Sequence, residues 1–205
     1  MKNLLGTIAF AAVMTAGAVQ IASAAPINFD AILQGSNEVP PSGSAGTGFA
    51  LVTIDPIANT MAVSITFSGL TGNTTASHIH CCLASPLLAG ANAGVATATP
   101  TFPGFPLGVT SGSYSALFDM TLATSYNQGA GAFLALNGNN PLTAEATLFA
   151  AIENGETYLN IHSSTKPGGE IRGFLVPVPE PATLALFGAG LAGAVAMRRR
   201  KKRAA

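Results

Sequence analysis

The sequence predicts an all-β domain of about eight strands, a Greek-key sandwich or barrel, set between two terminal segments outside the fold. Three observations carry this. Apolar residues recur with a period of two along most of residues 25–177. Glycine and proline, 23 and 13 of the 205 residues, punctuate those runs. Only 9% of residues are charged, too few for a helical bundle or coiled coil, and the 48% apolar content excludes a disordered chain.

The strands follow in order. Asn28–Leu33 leads into the turn-rich Gly35-Ser36-Asn37, and Gly48–Asp55 alternates large apolar with small or polar residues. Asp55-Pro56 starts a turn, Thr60–Phe67 alternates again, and the two runs read as an antiparallel hairpin. Further strands are expected at Thr75–His80, Gly94–Ala98, Ser113–Leu122, Glu156–His162 and Glu170–Val176. One short helix interrupts the pattern: Thr143-Ala144-Glu145 opens a run with Leu148, Phe149 and Ile152 on one face, closed by Asn154-Gly155. No internal repeat suggests a propeller or solenoid.

Residues 1–24 have the layout of a secretory signal peptide. Lys2 precedes an uncharged run from Leu4 to Val19, and Ala22-Ser23-Ala24 offers a signal-peptidase site. The other end, 178–205, reads Val178-Pro179-Glu180-Pro181, then an apolar stretch from Ala182 to Met197, then Arg198-Arg199-Arg200-Lys201-Lys202-Arg203. That stretch makes roughly 24 Å of helix at about 1.5 Å per residue, short for a bilayer core but within reach of snorkelling basic residues. The basic cluster keeps the tail cytoplasmic and the domain outside. Together these parts closely resemble the PEP-CTERM sorting signal of Gram-negative bacteria. The resemblance implies recognition of Pro179-Glu180-Pro181 by an exosortase-type enzyme. It also implies an inner-membrane precursor with its domain in the periplasm, then display at the cell surface or release.

The formal net charge of zero conceals this division. Residues 25–177 hold eight acidic and two basic residues, Lys166 and Arg172, a net of −6. An acidic exported domain has no charge basis for binding nucleic acid.

Few constellations carry chemistry. His78 and His80 share one face of a strand, with Ile79 turned to the core. His162, in Asn160-Ile161-His162, repeats that context, so neighbouring strands would bring three imidazoles together, a donor set suited to zinc or copper. The competing reading is that the histidines hydrogen-bond to loop backbone. Glu170 and Arg172 share a strand face at i, i+2. They read as a structural ion pair beside the Gly168-Gly169 turn, or as outer-shell partners of the histidines. Cys81-Cys82 allows a vicinal disulfide, two thiols, an intermolecular bridge or metal ligation, and export favours oxidation. No G-x-S-x-G, Walker A or H-E-x-x-H motif is present. A glycosidase using Glu170 would need a second carboxylate, and nothing in the sequence places Glu38 there.

Asn37-Glu38-Val39-Pro40-Pro41, Ser77-His78-Ile79-His80, Tyr158-Leu159-Asn160-Ile161-His162 and Gly168-Gly169-Glu170-Ile171-Arg172-Gly173 together resemble the CHRD domain, over about Ile27 to Leu175. The resemblance implies an immunoglobulin-like or related sandwich and no established catalytic activity. Cys81-Cys82 departs from its pattern, where a small residue is expected. The His-x-His strand is also similar to that of copper/zinc superoxide dismutase, by analogy of that strand alone. The expectation is an exported, non-catalytic surface or matrix module, meeting exopolysaccharide or envelope components. The alternative is a zinc- or copper-binding protein using His78, His80 and His162.

Overall fold

A computed structural model describes residues 25–83, 91–179 and 190. The expected signal peptide, Glu180, Pro181 and all of the expected membrane helix except residue 190 lie outside the described residues. Among the described residues no helix is long and apolar enough to cross a membrane.

The chain is mainly β. In order it forms β1 (Ile27–Gln34), β2 (Thr47–Asp55), β3 (Thr60–Ser68), β4 (Thr74–Cys81), β5 (Gly94–Val95) and β6 (Gly112–Asp119). Two helices follow, α1 (Phe133–Leu136) and α2 (Pro141–Glu153), then β7 (Tyr158–Ser163), β8 (Ile171–Phe174) and β9 (Val176–Pro177). Asp55 explains the tight β2–β3 connection: its Oδ1 accepts from the N–H groups of Ile57 and Ala58, both at 2.9 Å, and Asn59 takes the left-handed conformation at φ 53°. The α2 helix starts where Asn140 accepts from Leu142 N–H at 3.0 Å and Pro141 occupies the first turn.

Two packed sheets were expected; the structure has one. Its strands run β5-β4-β7-β8-β1-β2-β3-β6, all pairs antiparallel, and the sheet curls into a half-barrel. The joint is β1. It pairs with β2 along one edge over all eight of its residues, and its other edge meets β8 at Gln34↔Arg172 and β9 at Phe29↔Pro177. The two halves that a sandwich would hold apart are thereby stitched together. The expected strand over Glu170–Val176 is broken at Leu175, which is fully buried while β8 and β9 take separate places beside β1.

Alternation sorts the faces. Phe29, Ala31 and Leu33 of β1, Val52 and Ile54 of β2, and Val63 and Ile65 of β3 all turn into the curl. Ile79, Leu159, Ile161 and Ile171 extend this core beneath β4, β7 and β8, and Leu148, Phe149 and Ile152 of α2 join it. Burying each large apolar side chain contributes about 1.5–3 kcal/mol. The opposite face of β4, β7 and β8 is also buried, and there it is polar: His78, His80, Asn160 and Arg172 are each at most 7% exposed.

Candidate metal centre

Register creates this polar layer. Antiparallel pairing sets His78 of β4 opposite Asn160 of β7, His80 opposite Tyr158, and Ala76 opposite His162. The small Ala76 leaves room for the His162 ring to turn towards its neighbours. The ring centroids stand 5.3 Å (His78–His162), 5.9 Å (His78–His80) and 6.0 Å (His80–His162) apart. One ring nitrogen from each lies within 4.8 Å of the others.

The remaining nitrogens determine the tautomers. His78 Nε2 donates to the carbonyl of Pro100 at 2.8 Å, His80 Nδ1 to Ala93 at 2.9 Å, and His162 Nδ1 to Pro167 at 2.9 Å. A carbonyl only accepts, so each of those nitrogens carries the proton. That leaves lone pairs on His78 Nδ1, His80 Nε2 and His162 Nε2, all three buried and without a hydrogen-bond partner. Backbone carbonyls holding the far N–H of each ring are the usual outer shell of a metal-binding imidazole. Tetrahedral nitrogens at about 2.0–2.1 Å from zinc stand roughly 3.4 Å apart, so small rotations close the set.

Electrostatics favour neutral rings. Burial lowers His78 to about 4, with the Pro100 hydrogen bond opposing it and the His162 and His80 charges adding to it. Burial likewise lowers His80 to about 4, against the Ala93 bond. His162 is pushed down by burial, opposed by its bond to Pro167. Three neutral imidazoles suit zinc or copper better than a hard cation that prefers oxygen.

Other predicted residues fall elsewhere. Glu170 and Arg172 do not pair, and neither bonds to a histidine. The Glu170 carboxylate accepts from Ser44 Oγ, Thr71 N–H and Oγ1, Gly72 N–H and Ser163 Oγ. The reason is that Gly169, at φ 131°, turns the chain just before Glu170, ahead of the regular alternation of β8. Burial raises the Glu170 carboxyl, but these hydrogen bonds outweigh it and hold it below the ordinary value.

Arg172 is fully buried and takes Glu38 as its carboxylate, Nε to Oε2 at 3.9 Å. It also donates to the Asn37 carbonyl and, through Nη1, to Ala91 O at 3.3 Å and Asn92 Oδ1 at 3.0 Å. Its guanidinium lies 4.5 Å from the ring centroid of Tyr158, which itself stacks on His80 at 4.7 Å. Burial pushes Glu38 up to about 7 against the pull of Arg172. Glu38 also lines a cleft of about 270 Å³ with Pro40, Pro41, Lys166 and Pro167. Sequence reasoning expected loop backbone as one possible partner of the histidines without naming these three carbonyls, and it missed the place of Glu38. Only the recurrence of Asn37–Pro41 as a motif hinted at the latter.

Cys81 and Cys82 are joined as a vicinal disulfide. Cys81 lies in the apolar core on the face opposite His80, away from the imidazoles. Of Val178-Pro179-Glu180-Pro181, Val178 and Pro179 are described; the Val178 N–H donates to Asn28 O at 2.8 Å, so the chain leaves alongside β1.

Residues 29–175 match the CHRD domain. That is well over half of the chain. The chain belongs to the CHRD-domain family. Residues 177–201 match the PEP-CTERM protein-sorting motif, which begins where β9 ends. The motif implies an exported, cell-surface-sorted protein processed by an exosortase. No curated protein and no solved structure matches the chain at a significant level. All three histidines and the Glu38–Arg172 pair fall within the CHRD match.

Proposed function

We propose that this CHRD domain is a non-catalytic surface module that binds one zinc or copper ion through His78, His80 and His162. The observation that carries the reading is the paired state of each ring. One nitrogen is tied to a backbone carbonyl, and the other is buried, unpartnered and within 4.8 Å of its counterparts. Leaving three such atoms buried without partners costs about 1–3 kcal/mol each, which a bound metal would recover. Residues 1–24 serve as the signal peptide, removed by signal peptidase after Ala24. The segment 182–197 holds the precursor in the inner membrane until exosortase acts at Pro179-Glu180-Pro181. At the surface the module meets exopolysaccharide or other envelope components.

The same hydrogen bonds support a second reading, in which the rings simply pin the loops carrying Ala93, Pro100 and Pro167. Elemental analysis of protein purified from the cell envelope separates the two. The metal reading expects about one equivalent of zinc or copper, lost together with thermal stability when His78 and His162 are both replaced by Ala. Absence of stoichiometric metal, with stability unchanged by chelator, leaves only the structural role.

A further inference from the structure

Three imidazoles leave zinc one ligand short of its usual four. A zinc site with three protein ligands keeps its fourth position for water or an incoming group, whereas closed structural sites supply four from the protein. Among the described residues no other His, Cys, Asp or Glu joins the cluster. The two cysteines are bonded to each other, with Cys81 on the far face of β4.

What stands beside the cluster is Asn160. Register sets it directly opposite His78 on one side and Arg172 on the other. It is 2% exposed, and its Oδ1 is buried without a partner. Arg172, its neighbour across the sheet, carries Glu38 beside it. An amide oxygen in that position wants a donor, and neutral imidazole nitrogens turned towards a metal offer none. A metal-bound water does, since coordination strengthens its O–H as a donor. Behind Asn160, Glu38 Oε1 and Arg172 Nη2 are likewise buried and unpartnered. The unsatisfied atoms therefore run from the imidazoles through Asn160 to the Glu38–Arg172 pair, as expected where an ordered water belongs.

We propose that the centre is open: its fourth position holds an exchangeable water oriented by Asn160 Oδ1, and small monodentate anions can take that water's place. The inference rests on the metal reading above. Asn160 acts through the water and is a positioning residue. Azide cannot donate to Oδ1, so Asn160 favours water over azide.

The test loads the full-length chain with cobalt(II), a coloured substitute for zinc, and titrates azide while following the visible spectrum. Wild type is expected to shift saturably. Asn160→Leu removes the acceptor that favours water, so azide binds about tenfold more tightly, the equivalent of one hydrogen bond. Asn160→Asp strengthens the hold on water and repels the anion, so azide binds more weakly. A residue that only supports the fold would not move the affinity in opposite directions. Cobalt uptake with a spectrum indifferent to azide, or equal shifts in both variants, overturns this inference alone. No cobalt uptake overturns the metal reading and this inference with it.

Discussion

Glu170 and Arg172 stand two residues apart in the sequence, yet their side chains serve separate networks. Glu170 ties β8 to the Ser44 and Thr71–Gly72 loops and to the end of β7, through oxygens that accept from Ser44, Thr71, Gly72 and Ser163. Arg172 joins the polar layer over β7, against Glu38 and the Tyr158 ring. One is a clasp for the sheet's corner, and the other is the cation beneath the candidate metal centre.

The clasp should fail in acid. Hydrogen bonds hold the folded Glu170 carboxyl below its ordinary value of 4.5, overcoming the opposing effect of burial. Its stabilisation is therefore fully present above that value and is lost as pH falls through the lower, folded-state pKa. Glu170→Gln should lose about 3 kcal/mol near neutral pH, because charge-assisted bonds are replaced and one acceptor becomes a donor facing donors. Thermal melts between about pH 7 and pH 3 should show wild type approaching the variant at the acid end. A constant gap across that range would remove Glu170 from the account of acid stability.

Gly169 should tolerate no side chain. Its φ of 131° lies where L-residues are strained, and an added Cβ would sit 2.5 Å from Glu38 Oε1. Gly169→Ala is expected to cost at least about 1–3 kcal/mol from the backbone alone. The contact with Glu38 adds to this to the extent that its pairing with Arg172 holds the carboxylate in place. A double-mutant cycle with Glu38→Ala should recover the contact part and leave the backbone part. Strict additivity in chemical denaturation would show that the carboxylate moves aside freely.

The Cys81–Cys82 bond should be detectable by alkylation. Denatured protein treated with iodoacetamide should gain no adduct before reduction and two after it, read by mass spectrometry. Monomer mobility on a non-reducing gel excludes an intermolecular bridge. Adducts without reductant would mean that the exported domain keeps free thiols, and the loop after His80 would then need another description.

Much of this architecture was legible in the sequence, for identifiable reasons. Period-two alternation places Ile79 and Ile161 in the core, and it therefore places His78, His80 and His162 on the opposite face. The α2 helix was readable because Leu148, Phe149 and Ile152 keep helical spacing before Asn154-Gly155. Strand order was not, since nothing local to β1 shows that its two edges join both halves of the sheet. The ring anchors were legible only in kind: loop backbone was one expected partner, but a carbonyl such as that of Pro100 or Pro167 has no residue signature. Glu38 was invisible as a partner because its pairing with Arg172 spans most of the domain and depends on the close approach of Gly169.

The exit of the chain gives the last prediction. Val178 donates to Asn28 O, so the domain keeps hold of the backbone up to the first residue of the sorting motif. Pro179 lacks the backbone donor that would carry this pairing with β1 further. Replacing Pro179, Glu180 and Pro181 together by Ala should block exosortase action, leaving an uncut chain in the membrane fraction. Wild type should be shorter and found at the surface or in the medium, as intact-mass measurement of both fractions will report. The CHRD domain itself should melt at the same temperature in both, because the substitutions lie beyond β9. If the variant has the same mass and location as wild type, the tail is an ordinary anchor and the motif plays no part in sorting this chain.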